Sequence, residues 1–523
     1  MHDPLFQKMD TKSPHGRLPK RSEADPQHTW RLEDIFASTE EWEASFARVQ
    51  KLIDEVSSYK GRLAESPETL YSCLQASDDL GRIFDSLYVY AHLWRDQDTG
   101  KPEAQALADR ITILATKVRK AESYLSPEIL SLGAKKIDRY LAEHEGLVLY
   151  RMFLDNILRT AAHTLTPSEE ELLASAANVS QGPRNIFNML NNADMKFPEI
   201  KDEKGNMVEV TKGRYAQFME SRDRRVRKDA YDALLGTYGR YQNTLAATLS
   251  ANVNRDIFYA RARKYDSCLE GALDAYNIPV GVYDNVVRVV NENLEPLHRY
   301  MSLRKKMLGL DELRPYDLFV PIFPDVDEKM KYEECVETIV SGLAPMGEEY
   351  VGLLRKGFDS GWVDVYENEG KRSGAYSWGA YGTHPYILLN FQGRLDDMFT
   401  IAHEMGHALH TYFTYSTQPY IYGNYSIFTA EVASTTNEAI LMDHLLKNTD
   451  DPKRKLFLLN HYLDQIRSTV YTQVLFAEFE KATHERVEAG QPLTADEMGT
   501  LFEGLYKKYN GPEVVADPST RIY

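Results

Sequence analysis

Cysteine is scarce: three thiols, Cys73, Cys268 and Cys335, are scattered over 523 residues with no paired spacing. That excludes a disulfide framework and a thiolate metal site, and it suits a reducing cytoplasm. Basic charge is also short, with 61 Lys and Arg against 78 Asp and Glu, a net charge of −17 and a pI near 5.4. Binding phosphate needs a basic surface, so a nucleic-acid partner is excluded. No apolar run reaches the roughly 18 residues that cross a bilayer, so no membrane span is expected. The opening Met1-His-Asp-Pro-Leu-Phe-Gln-Lys-Met-Asp10 lacks the apolar core of a secretory leader. Repeats and low-complexity tracts are absent as well. What remains is a globular composition, 43 % hydrophobic, long enough to bury a large core.

Residues 1–29 mix Pro, Lys, Arg, Asp and His without periodicity and read as a flexible tail. From Trp30 to about His163 the pattern is amphipathic and helical. Glu40–Tyr59, Pro67–Trp94, Pro102–Tyr124 and Pro127–His144 are the clearest helices, the last three opening on Pro near a helix start. Phe197-Pro-Glu-Ile-Lys201 and Met207-Val-Glu-Val210 flank a turn and read as a β-hairpin, which places a domain boundary near residue 195. The expected organisation is a helical domain over 30–195 and a catalytic domain over 196–523. Trp362–Tyr366 and Tyr386–Phe391 read as strands bracketing a Gly-rich segment, Gly370–Gly382. The second strand runs almost directly into the helix that carries the strongest motif, where it could pair with an extended peptide. Gly374–Gly379 reads either as a mobile substrate loop or as a turn plugged by aromatics.

That motif is His403-Glu404-Met405-Gly406-His407. Histidines four apart lie one turn apart on one helical face, close enough to share a metal ion. Glu404 is rotated about 100° from His403 and can serve as general base toward a water. With 14 His in the chain, a chance H-E-x-x-H arises roughly a few hundredths of a time, so the signal is specific. Met398, Phe399, Ile401, Ala402, Met405, Ala408 and Leu409 make the helix apolar on most sides, and buried ionisable groups need a partner or a metal. Gly406 costs about 1 kcal/mol inside a helix relative to Ala; a close approach to its backbone would explain it.

Zinc with two imidazoles needs a third protein ligand and an open position for water. At the spacing where metzincins place a third His stands Phe413, which cannot bind metal. His410 shares the helical face, but three ligands on one straight helix splay too far along its axis. The helix expected over Ser426–Met442 is the better source. Its Glu431 and Glu438 lie seven apart on one face, one to bind the metal and the other to hold a ligand imidazole. Small Ala430, Ala433 and Ser434 beside Glu431 allow a close approach of the two helices, which favours Glu431 as the ligand.

These residues carry a resemblance. His403–His410, Ala430-Glu-Val-Ala-Ser-Thr435 and Asn437-Glu438-Ala439 resemble the zinc site of oligoendopeptidase F, in the thimet-oligopeptidase-like metallopeptidases. The likeness extends to Trp30–Phe36, Asn192–Pro198, Leu303–Leu310, Lys371–Trp378 and His384–Asn390, nearly the whole chain from about residue 30. It implies a mainly α, multi-helix, deep-cleft zincin-type metallopeptidase with a small β-sheet next to the zinc helix, cytosolic and cutting short peptides. Zinc ligands His403, His407 and Glu431 and base Glu404 carry over. Glu438, His410, Tyr376, His384 and Asn390 are candidates to support the ligands or touch substrate. The family continues past the Tyr509–Pro518 segment into a stretch whose His and Tyr side chains hold the oxyanion, and this sequence stops at Tyr523. The resemblance therefore also carries an alternative, a weak or inactive peptide-binding homologue; Tyr376, Tyr420 and Tyr425 are the substitutes to test for the oxyanion role.

Overall fold

Serine caps start the first helices. Ser38 Oγ accepts the Glu41 N–H ahead of α1 (Thr39–Ser58), and Ser66 Oγ accepts the Thr69 N–H ahead of α2 (Pro67–Gln97). With α3 (Pro102–Glu122) and α4 (Leu125–Glu143), they enclose a core that includes Trp42, Val49, Leu70, Leu87, Ile111 and Ile137. The computed structural model describes residues 18–323 and 329–522.

Two further helices, α5 (Tyr332–Gly342) and α6 (Glu348–Asp359), lead into a three-stranded sheet. Its strands are β1 (Val363–Asp364), β2 (Tyr376–Trp378) and β3 (Tyr386–Leu388), in the order β1-β3-β2. β3 is parallel to β1 and antiparallel to β2. Tyr386 and Leu388 point to one face, where they pack with Trp30, Leu32, Val89 and Leu93 from the N-terminal segment and α2. Then come α7 (Leu395–Thr417) and α8 (Ile427–Lys447), which pack against each other.

The chain divides into two compact units, Met1–Ala161 with Asp327–Asn448, and Ala162–Val326 with Thr449–Tyr523. This differs from the break expected near residue 195. The reason is the cluster around Trp30 and Leu388, which ties α2 and the sheet into one unit although some 300 residues of sequence lie between them. The expected hairpin forms as Glu199–Lys201 with Met207–Glu209, inside the second unit. That unit is otherwise helical, with a core that includes Val253, Ile257, Phe479, Met498 and Tyr509. No helix among the described residues is long and apolar enough to cross a membrane.

Two sequence expectations need correction. Of the tail expected over 1–29, residues 1–17 lie outside the described residues, but 18–29 are fixed in place. The His28 carbonyl accepts the Val365 N–H at 2.9 Å and Arg31 N–H donates to Gly361 O at 2.8 Å, which covers the outer edge of β1. Arg21 is ion-paired with the buried Asp364 of β1. Apolar periodicity misses such a segment because backbone and charge hold it. The second correction concerns the peptide-pairing strand. Tyr386–Leu388 is central, with both edges occupied, so it has no edge to offer. Among the described residues the free edge belongs to β2, inside the Gly-rich segment read as loop or turn; three residues with only Ser between two aromatics gave too short a pattern.

Candidate metal centre

Helix α7 begins where Asp397 accepts the backbone N–H groups of Arg394 (2.8 Å) and Gln392 (3.0 Å). All seven apolar residues expected to surround the motif are buried. Gly406 sits where α8 crosses. A Cβ there would stand 2.7 Å from Ser434 Cα and 2.8 Å from the Ala433 carbonyl oxygen, so the two backbones touch. Fully buried Asn437 fixes the crossing, its Nδ2 donating to Ala402 O at 3.0 Å while its Oδ1 accepts the Tyr350 hydroxyl at 2.8 Å.

The crossing brings three ligand atoms together. His403 Nε2 and His407 Nε2 are 3.1 Å apart. Glu431 Oε2 lies 3.4 Å from the first and 3.5 Å from the second. Ligands of a tetrahedral ion at 2.0–2.1 Å stand about 3.3–3.4 Å from one another, so the triangle fits zinc with one position open. Among the described residues it is the one such trio of His, Cys, Asp or Glu. The ligand atoms are also aimed. His403 Nδ1 donates to Glu438 Oε1 at 2.5 Å, which leaves the Nε2 lone pair turned to the triangle. Ser434 Oγ donates to Glu431 Oε2 at 2.8 Å.

The electrostatics match this arrangement. Burial alone would lower the His403 pKa, but the bond to Glu438 and the neighbouring carboxylates raise it. Burial and the His403 charge lower that of His407. Glu404 is buried, and its pKa is pushed up to about 7, by burial foremost. The His403 charge opposes that rise, the charges of Glu431 and Glu438 add to it, and a hydrogen bond from the Ser377 backbone opposes it again. Glu404 Oε2 is buried with no protein partner, an orphan that a reacting water would satisfy.

Ser377 was not among the expected residues. Its pair Ile387 turns its N–H toward β1, onto Trp362 O at 2.8 Å. Ser377 therefore turns its own N–H and carbonyl to the free edge, and its backbone dipole is among the influences that hold down the Glu404 pKa. Ser434, likewise missed as a hydrogen-bonding partner, was legible as a hydroxyl three residues after Glu431.

The remaining candidates are placed as follows. Glu438 holds His403. His410 stacks on Tyr425 with ring centroids 3.8 Å apart and stays outside the triangle. Tyr376 donates its hydroxyl to buried Asp96 at 3.0 Å, and Tyr420 donates to Asp85 at 2.7 Å. The Tyr425 hydroxyl pairs with Thr411 at 2.8 Å. His384 stacks on Trp362 and pairs with Asp34 at 3.0 Å. Asn390 Nδ2 donates to Arg372 O (3.0 Å) and Gly374 O (2.8 Å), fixing the approach to β2.

Comparison with known proteins bears on this geometry. The pattern of "Peptidase family M3" matches residues 217–523, and that of "Oligopeptidase F" matches 128–197. Oligopeptidase PepF of Bacillus subtilis is 49 % identical over 502 residues, which cover 96 % of this chain and 75 % of that one. Group B oligopeptidase PepB of Streptococcus agalactiae is 41 % identical, covering 94 % of this chain and 82 % of its own length. The crystal structure of oligoendopeptidase-F from Enterococcus faecium superposes with a TM-score of 0.70 at 35 % identity, over 92 % of this chain and 82 % of that one.

Proposed function

Because the chain belongs to peptidase family M3 and is a metalloendopeptidase, we propose that its metal is zinc, held by His403, His407 and Glu431, and that it cuts short peptides. The observation that carries the zinc assignment is the triangle of two imidazole nitrogens and one carboxylate oxygen with 3.1–3.5 Å edges. When bound, zinc would polarise the scissile carbonyl and bring the pKa of a water toward neutrality. Glu404 acts as general base, its unpartnered Oε2 taking the proton of the attacking water and then passing it to the leaving amine. Glu438 keeps His403 in the tautomer that presents Nε2. The free edge of β2 receives the peptide backbone as an added strand, fixing main chain without reading side chains.

The names of the similar proteins, oligopeptidases and an oligoendopeptidase, support short peptides as substrates. The free thiols suit a cytoplasmic setting. The test is a set of quenched peptides of about 5–20 residues beside casein. Internal cleavage of the peptides, abolished by Glu404→Gln, is expected, with casein left intact. Rapid casein degradation would contradict the substrate class, and undiminished cleavage by Glu404→Gln would contradict the mechanism.

A further inference from the structure

The connection Gln418–Ser426 joins α7, which carries both imidazoles, to α8, which carries Glu431. The turn that holds Glu431 has little packing of its own. The first buried residue of α8 is Ser434, and Ile427, Phe428 and Val432 are exposed. Its position therefore depends on what holds it at either end. Beyond Glu431 stands the crossing at Gly406 and Asn437; before it stands the connection, which is seated on α2. Tyr420 donates its hydroxyl to Asp85 Oδ2 at 2.7 Å. The same ring lies against Gly81, where a Cβ would stand 2.8 Å from Tyr420 Cζ and 2.9 Å from its Cε1. Gly81 and Asp85 are four apart, so one turn of α2 supplies both the floor and the acceptor of the seat. Glycine is a poor helix former, yet it stands here inside a 31-residue helix; the Tyr420 ring is the reason for it. Burial pushes the Asp85 pKa up and the Tyr420 hydroxyl opposes that rise, so the carboxylate depends on this donor. Tyr381 closes the seat, its ring edge-on to Tyr420 at 5.5 Å and its hydroxyl donating to Gln418 O at 2.7 Å.

We infer that Gly81, Asp85 and Tyr420 form a latch that positions Glu431 against the two imidazoles, which makes Tyr420 a positioning residue for the metal centre. The inference rests on the zinc assignment above and deepens it. Because the Tyr420 hydroxyl proton is committed to Asp85, this side chain serves the site through the fold and not as an oxyanion donor. The chain between the latch and α8 has little slack. Tyr422 donates to Leu149 O at 2.8 Å, and the Tyr425 hydroxyl pairs with Thr411 of α7 at 2.8 Å. Glu431 lies between the latch and the Gly406 contact, three residues before Ser434. With the latch open, α8 pivots on that contact, so Glu431 moves while Ser434 stays. Metal ligands tolerate displacements of only about 0.2 Å, so a small pivot is felt at the triangle.

The experiment is zinc titration of the full chain against a competing chelator, with thermal unfolding of the metal-free protein as the control for fold. Gly81→Ala should keep the fold, because Ala is the better helix former and the atoms it displaces are the movable end of a tyrosine. Its zinc affinity should fall by about tenfold or more as the ring is unseated. Asp85→Ala should lower the affinity likewise, whereas Asp85→Asn keeps an acceptor for the hydroxyl and should stay near the unsubstituted protein. In a Glu431→Gln background the residual affinity of the two imidazoles should not change further on Gly81→Ala, because the latch acts through Glu431. Unchanged affinity in folded Gly81→Ala and Asp85→Ala would overturn the latch. So would a Gly81→Ala loss that persists in full in the Glu431→Gln background, since that marks a general loosening. A loss in Asp85→Asn equal to that in Asp85→Ala would overturn the hydrogen bond as the link. Absence of zinc from the unsubstituted protein would instead overturn the zinc assignment itself.

Discussion

Gly406→Ala separates helix propensity from tertiary packing, because the two act with opposite sign. Propensity alone favours Ala by roughly 1 kcal/mol in a helix interior. Here the added Cβ would meet Ser434 Cα at 2.7 Å, the Ala433 carbonyl oxygen at 2.8 Å and Ser434 N at 2.9 Å, all backbone atoms with no rotamer to yield. Ordinary carbon contacts lie at about 3.5–4.0 Å, so α8 must retreat by roughly 0.8 Å or more. Overpacking of this kind costs about 1–3 kcal/mol and outweighs the propensity gain. The retreat also carries Glu431 away from the imidazoles, from separations of 3.4 and 3.5 Å toward about 4.2 Å, beyond the roughly 3.3–3.4 Å edge that tetrahedral zinc tolerates. Zinc affinity should fall by about 10–100-fold, the loss typical when the support of a metal ligand is disturbed. The assay is thermal unfolding of the metal-free protein together with zinc titration against a competing chelator. A raised melting temperature with unchanged zinc affinity would refute the backbone contact and with it the reason for glycine in the motif.

The remaining expectations are shorter. Glu431→Gln should lose zinc on mild dialysis, whereas Glu438→Gln should keep most of it with affinity reduced about 10–100-fold; metal analysis of both decides, and the reverse order would exchange their roles. Glu404→Gln should retain fold and zinc and lose turnover by about 10²–10⁴, since an amide cannot accept the proton; single-turnover kinetics check this, and a drop of only roughly tenfold would reassign the base. In the second unit, fully buried Asp317 accepts hydrogen bonds from Arg224 and Arg227 at 2.7 Å each. Burial pushes its pKa up, but these bonds and the Arg314 N–H outweigh that and leave it below the usual carboxylate value. A depressed folded pKa means stability that is present above the unfolded value of about 3.9 and is lost as pH falls through the folded one. Asp317→Asn should therefore cost about 3–5 kcal/mol at pH 7, with the gap to the parent narrowing below about pH 4. A gap in denaturation midpoint that stays constant down to pH 2 would contradict that.

How much of this was legible in the sequence differs by residue, for physical reasons. The long helices were readable because periodicity and caps are local: Pro67 and Pro102 open α2 and α3 at the residues expected. His403, His407 and Glu404 were readable because one helical turn fixes their relation whatever surrounds it. The position of Glu431 beside them was argued from its small neighbours, and the backbone contact at Gly406 supplies the reason those neighbours are small. Ser377 escaped because its contribution is a backbone N–H, which no side-chain pattern records. Residues 18–29 escaped because Arg21–Asp364 and the His28 carbonyl act across more than 330 residues of sequence. His384, a histidine in a family motif, stacks on Trp362 and pairs with Asp34, partners that lie far from it in sequence and that no local pattern records.

The most direct test of the metal centre is an anomalous difference map measured at the zinc edge on crystals of the zinc-loaded protein. One peak per chain is expected, about 2.0–2.1 Å from His403 Nε2, His407 Nε2 and Glu431 Oε2, with no fourth protein ligand. A peak bound by Glu438 or His410 instead, or none within the triangle, would contradict it.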